Sequence, residues 1–539
     1  MLELKNKKYV REHKAEFEKA GIHVPDFDAQ KIKENTAKSP VWVHFGSGNL
    51  FKAFHSVLAQ ELIEKGASDK GIIVCDTFSF NMIKQVYEPF DNLVLQVVMK
   101  ADGTIKPQVV SSITEAVPAD SKDEKAWGRM KEIFANPSLQ MVTFSITEKG
   151  YDLKTLDGSF KPEVVAEFKA GPEKPVHAMA KLTALMLERF KNGKTPIALV
   201  STDNFSHNGD KLKAAVLDVA NAYKQNGFVG QNFIDYLSDP KKVSFPWSMI
   251  DKITPYPAPA VQEQLKKIGF ANADLIKIDE HTMSAVFVNT EEAQYLVIED
   301  NFPNGRPPLE KVGVFFTDRA TVDKVEKMKV CTCLNPLHTV LAIFGSILGF
   351  TSISSEVRDP DLLKIINKVG YEEGMPVVVD PGIIKPADFI KEVLTVRFPN
   401  PNIPDTPQRI VTDTSQKLGI RFGETIKLYK ERGLDLNKLV FIPLAIAGWL
   451  RYLIGVDDEG KPFKQSPDPL LNELKGLLAG VELGKPETAK GKAKAILSNS
   501  KIFGCDLYEV GLGDRIEGYF EEFLAGPGAV RKTLKKYLA

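Results

Sequence analysis

The chain has 539 residues, with 70 Lys and Arg against 70 Asp and Glu, so its formal net charge is zero. At roughly 150 residues per domain this length implies more than one domain, and a balanced charge excludes a net field for drawing in nucleic acid or an anionic membrane. Four cysteines, Cys75, Cys331, Cys333 and Cys505, are too few for a disulfide framework. No run approaches the ~18 consecutive apolar residues of a membrane span. The start, MLELKNKKYVREHKAEFEKAG, mixes both signs of charge and lacks the apolar centre of a secretory signal. The expectation is a cytoplasmic protein acting on a small molecule, a monomer or homodimer with no nucleic-acid or membrane partner.

In chain order, residues 1–37 read as a charged helical extension bounded by Pro25 and a Lys/Glu-rich run. VWVHF (Val41–Phe45) is the first strong strand and runs straight into GSGN. In LFKAFHSVLAQELIEKG, Phe51, Phe54, Val57, Leu58 and Leu62 recur at spacings of three and four, which predicts a helix closed by Gly66. GIIVCD, LVLQVVM, LQMVTFSIT and IALVSTDN follow as apolar strand runs, the last two separated by the helical pattern HAMAKLTALMLERF. Strands alternating with helices predict a mainly parallel sheet covered on both faces. LIKID, SAVFV and QYLVIED are closely spaced and read as an added, partly antiparallel section at the sheet edge. Beyond about Thr317 the patterns are almost all helical, interrupted by the stiff loop FPNPNIPDTP. The fold class is α/β: a Rossmann-type dinucleotide-binding domain (38–317) followed by a mostly α-helical C-terminal domain (318–539).

Gly46-Ser47-Gly48 lies where the first strand ends and a helix begins. A dinucleotide fold needs this: one glycine for the turn, the next so that backbone approaches the pyrophosphate, then a helix end offering free N–H groups. Phe45, Gly46, Ser47, Gly48, Asn49 and Leu50 are the candidate cofactor-binding residues. Asp76 ends the second strand, where an acid binds the adenosine ribose hydroxyls and disfavours the extra phosphate, so NAD is expected over NADP. Phe51 stands where the fingerprint has its third glycine, and a plain strand–helix turn is the competing reading.

Several stretches together resemble the long-chain mannitol dehydrogenase (polyol-specific dehydrogenase) family: HFGSGNLFKAF, SITEKGYDL, STDNFSHNG, FPWSMIDKITP, VIEDNFPNGRPPLEKVG, EKMKVCTCLNPLHT, VRFPNPNIPDTPQRI with TDTSQKL, and AIAGWLRYLIGVDDEG. The resemblance implies an NAD-binding Rossmann domain, a helical C-terminal domain, and metal-independent hydride transfer at the cleft between them. It places the catalytic lysine at Lys329, followed by Asn335 and His338, with Glu326 on a proton path. Asn204 matches a second asparagine at the carbonyl oxygen, Arg397 a substrate-contacting arginine and Asp251 an acid near the site. The likeness is greatest to members that interconvert D-fructuronate and D-mannonate. Members acting on mannitol, tagaturonate or a sugar phosphate are the alternatives, and a nucleotide-binding protein without catalysis is a third reading.

Alcohol–ketone interconversion by hydride transfer needs a proton-exchanging group and donors that hold the oxygen as it gains negative charge. A partly desolvated lysine suits the first role, since burial lowers an ammonium pKa, and two asparagine amides suit the second. No His, Cys or Asp cluster has the spacing of a catalytic zinc site, and Cys331-x-Cys333 reads as core.

The family spacing has four residues between Lys and Asn; this chain has five, VCTCL. Either Asn335-Pro336 is an N-cap followed by the first helical residue, which puts His338 two positions further in, or the helix runs through and the extra residue forms a π-bulge. A helix N-terminus beside His338 would favour the neutral imidazole. Each residue has a bland counterpart: a solvated lysine among Lys324, Lys327 and Lys329, a core His338, a turn-closing Asn204, a surface Arg397 and a helix-capping Asp251. His207 reads as structural.

Overall fold

The computed structural model describes residues 1–155 and 157–539. Two units separate, Met1–Asp323 and Lys324–Ala539, with the division inside the helix Arg319–Met328.

In the first unit six strands, β1 (Trp42–Phe45), β2 (Ile72–Asp76), β3 (Ile113–Pro118), β4 (Met141–Phe144), β5 (Ile197–Ser201) and β6 (Val243–Ser244), form one parallel sheet in the order β3-β2-β1-β4-β5-β6. β1, β4 and β5 are buried throughout. Val43 and Phe45 enter one apolar cluster with Phe134 and Phe144, whereas Trp42 enters the opposite one with Phe51 and Val74. Burial on both faces is why these strands read as continuous apolar runs. The strand order reverses direction between β1 and β4, and ligands of such sheets sit in the crevice beyond the strand ends at that point.

The remaining strands correct the sequence reading. Val94–Met99 is not part of the main sheet: the short turn 100–104 joins it to Ile105–Val110 as an antiparallel pair, and Phe287–Glu291 adds on its other side. A turn that short cannot bridge parallel neighbours. Nor do the strands after Leu275 extend the main sheet's edge. Ile276–Lys277 and Met283–Ser284 form their own antiparallel pair. Tyr295–Glu299 pairs with Ser248–Asp251 and Phe315–Thr317 in a separate three-stranded sheet. Residues 1–37 hold three helices tied into this unit. Leu2 N–H donates to Gly269 O at 2.9 Å, and Lys7 Nζ donates to Ile113 O at 2.6 Å.

In the second unit the helix Asn335–Ile347 packs on Phe441–Leu453, which packs on Gly513–Phe523. The first two approach closely at Gly448, where a Cβ would stand 2.7 Å from the Phe344 ring. Among the described residues the helical run Arg319–Ile347 is the one helix long and apolar enough to cross a membrane, with mean hydropathy 1.5 over an 18-residue window, yet 83% of that window is buried in the protein. Its composition is that of a core helix. All four cysteines are free thiols, and burial pushes the Cys333 thiol up to about 12.

Candidate active site

At the end of β1 the chain turns through Gly46, whose φ of +116° is a conformation L side chains rarely adopt. A Cβ there would also lie 2.3 Å from Ser145 O, just beyond β4. Gly48 has no atom within 4 Å of a would-be Cβ, so the space over the turn is open to a pyrophosphate approaching the backbone. Asp76 joins this turn. Its Oδ2 accepts from Ser47 Oγ at 2.5 Å and Ser47 N at 3.3 Å, while Oδ1 accepts from Phe78 N and Ser79 N. The sequence-predicted turn and acid are thus one assembly, and its residues fit a dinucleotide. Phe45 is different: its side chain is fully buried against Phe144, leaving only backbone to face a ligand. Asn49 donates to Pro255 O at 3.1 Å, and Leu50 packs at the edge of the core.

Beyond β5, Asn204 lies exposed in an irregular turn. The preceding Asp203 is an organiser that sequence reading missed. Its buried carboxylate accepts from Ile146 N at 3.0 Å, Thr147 N at 2.9 Å and Tyr151 OH at 2.7 Å. It thereby holds the segment after β4, where Thr147 takes a φ of 63°. Burial raises the Asp203 pKa, with these donors opposing. Asp251 is buried at the end of its strand, and the next helix begins only at Pro259, so it caps no helix. His207 stacks on Trp247 with centroids 4.1 Å apart.

In the second unit Lys324 and Lys327 are exposed, but Lys329 is only 4% exposed, which removes the solvated reading. Lys329 opens a π-helical turn, Lys329–Cys333. A π turn does follow Lys329, as in the second of the two geometries, but the helix does not run straight through as that reading required, and the N-cap is Leu334 and not the Asn335 of the first. Leu334 (φ −128°, ψ −64°) takes the N-cap position, Asn335 is the first helical residue, and no side chain caps the helix. Glu326, half-buried, lies one helical turn before Lys329 and so on the same side.

His338 follows one turn later, its side chain 14% exposed and its ring 5.0 Å from that of Phe398. Its Nε2 is buried without a hydrogen-bond partner, with Asp405 Oδ2 3.7 Å away. Burial pushes its pKa down to about 4; Asp405 opposes this, while Arg421, Arg409 and Arg397 add to it. The imidazole is neutral at neutral pH, through burial and neighbouring arginines. Arg397 ends the π turn Val393–Arg397 and is 4% exposed, so it is no surface ion-pair residue. Arg421 sits in a third π turn, Gly419–Gly423, and donates from Nη1 to Thr339 Oγ1 at 2.6 Å. Sequence reading missed Arg421 and Asp405, because nothing local marks an arginine whose partners are decided by tertiary packing.

A parallel sheet in this order, with a glycine turn at its reversal point and an acid ending β2, defines the first unit as dinucleotide-binding. A helical unit with the buried Lys329 and a cluster of arginines around His338 follows it. The mannitol dehydrogenase Rossmann-domain model matches residues 41–311 and the mannitol dehydrogenase C-terminal-domain model residues 321–522. The chain belongs to the mannitol dehydrogenase family. A D-mannonate oxidoreductase of Thermotoga maritima is 50% identical over 526 residues, covering 97% of each chain. Two solved structures share the fold. One is a substrate-free D-sorbitol dehydrogenase (TM-score 0.76, 23% identity, covering 96% of this chain and 98% of that one). The other is Pseudomonas fluorescens mannitol 2-dehydrogenase in complex with NAD and D-mannitol (TM-score 0.68, 24% identity, covering 96% and 97%).

Proposed function

We propose that this dehydrogenase is an NAD-dependent, cytoplasmic enzyme that interconverts D-fructuronate and D-mannonate, with Lys329 as acid/base and without a metal. The observation that carries the substrate is the half-identical, full-length relative named D-mannonate oxidoreductase. NAD rather than NADP is supported by the Asp76 carboxylate beside the glycine turn, where a 2′-phosphate would meet a negative charge.

When bound, the reduced coenzyme supplies hydride to the ketone carbon. The Lys329 ammonium donates a proton to the ketone oxygen, and the Asn204 and Asn335 amides donate hydrogen bonds to it as charge develops. Glu326 relays the proton between Lys329 and water. Neutral His338 hydrogen-bonds a substrate hydroxyl, and Arg397 and Asp251 orient the substrate chain.

Replacing Lys329 with Ala is expected to lower kcat for NADH-dependent fructuronate reduction by about 10³-fold or more while NADH still binds. Unchanged turnover would remove Lys329 from the mechanism. A panel of fructuronate, tagaturonate, fructose and sugar phosphates, compared by kcat/KM, tests the substrate, and a preference for a neutral ketose would replace it. Light scattering separates the monomer from the homodimer.

A further inference from the structure

Several arginines in this chain are well provided for. Arg306 and Arg531 lie against pairs of carboxylates, and Arg189 is enclosed by five backbone carbonyls. Among the described residues Arg421 has one partner, the uncharged Thr339 hydroxyl. It is half-buried, and burial alone pushes its pKa down to about 10. A desolvated guanidinium without a counter-charge is costly unless an anion comes to it.

The position is also fixed. At Gly423 a Cβ would lie 1.8 Å from Phe503 O, and at Gly419 one would lie 3.0 Å from Ile502 O, so the π turn that carries Arg421 is clamped on that backbone. Thr339, its partner, directly follows His338, whose Nε2 is buried and without a partner. Of the charged groups acting on His338, three are arginines (Arg397, Arg409, Arg421) and one is a carboxylate, Asp405, which Arg409 already holds. Beside this unused imidazole nitrogen, Arg421 has no carboxylate partner among the described residues.

We propose that Arg421, anchored by Thr339, is the specificity-determining residue that receives the carboxylate of the substrate, with His338 beside it. This rests on the keto-uronate reading above and names what selects an acid over a neutral ketose. A guanidinium fork matches a carboxylate in geometry and charge, whereas a primary alcohol in the same place leaves the charge uncompensated.

The test uses the full-length enzyme with NADH and two substrates, D-fructuronate and D-fructose. Arg421→Gln should lower kcat/KM for fructuronate by about 100-fold, mainly through KM, with fructose changed less than about threefold. The NADH dissociation constant, read by fluorescence, should not move. Equal losses on both substrates, or a loss confined to kcat, overturn the proposal. If Arg421→Gln lowers Tm, Arg421→Lys decides: a drop of about tenfold confined to fructuronate supports it, and an unchanged preference overturns it. Wild type that turns over fructose but not fructuronate overturns the substrate reading and this proposal together. Wild type that prefers fructuronate, with Arg421→Gln keeping that preference, overturns this proposal alone.

Discussion

Two arginines divide the molecule. Arg189, in the first unit, is 1% exposed and donates to the carbonyls of Phe134, Asn136, Leu139, Thr195 and Pro196, all at 2.8 to 2.9 Å. Every donor of its fork is used, so it stitches the end of its helix to the loops before β4 and β5. Arg421, in the second unit, has a single neutral partner near an imidazole with an unfilled nitrogen. One arginine is satisfied within the fold; the other keeps donors that only a group from outside can complete. A buried charge therefore locates a site only when its own fold fails to satisfy it.

The largest expected effect breaks the closed region. Arg189→Met orphans five carbonyls and should cost about 3–5 kcal/mol in urea unfolding, while Arg421→Gln should cost less than about 1 kcal/mol. Similar losses at both sites would erase the contrast. Next comes Glu356, whose two carboxylate oxygens are buried without partners against Gly345, and whose pKa burial raises to about 9. Its folded pKa lies above the unfolded value, so its stabilising contribution is complete below about pH 4.5 and is lost as pH rises toward 9. Glu356→Gln should match wild type at pH 4 and exceed it by about 2–4 kcal/mol at pH 8. Parallel pH profiles would show that this carboxyl finds a partner.

The smallest effect belongs to His338. Its folded pKa of about 4 lies below the usual 6.5, so stability is full above pH 6.5 and is lost as pH falls through 4. His338→Gln should remove about 1–3 kcal/mol of that acid sensitivity, measured by urea unfolding at pH 7 and pH 4.5. An unchanged slope would mean the imidazole is solvated.

The parallel sheet was legible in the sequence because β1, β2, β4 and β5 are buried on both faces and so are apolar throughout. Val94–Met99 is equally apolar, yet its partners are set by a short turn and by a strand nearly two hundred residues on, which no local pattern records. The glycine turn and Asp76 were readable as separate features, but the Ser47–Asp76 bond that unites them is tertiary. Lys329 looked like its neighbours Lys324 and Lys327; only packing distinguishes the buried member of the three. Arg421 lies a few residues beyond a recognised stretch, and its lack of a counter-ion is a property of the folded chain alone.

The π turn at Lys329 shows what the family spacing measures. An α-helix advances by about 100° per residue, so five steps rotate through roughly 500°. At Lys329 the carbonyl instead accepts from Leu334 N, five residues on, at 3.1 Å, a wider turn that takes in one more residue than an α turn. Leu334 then leaves the helical region (φ −128°) before Asn335 opens the next helix, so the bearing between Lys329 and Asn335 is set by that kink as well as by the winding. A spacing counted in residues presumes one unbroken winding; here the winding changes and then breaks between the two residues.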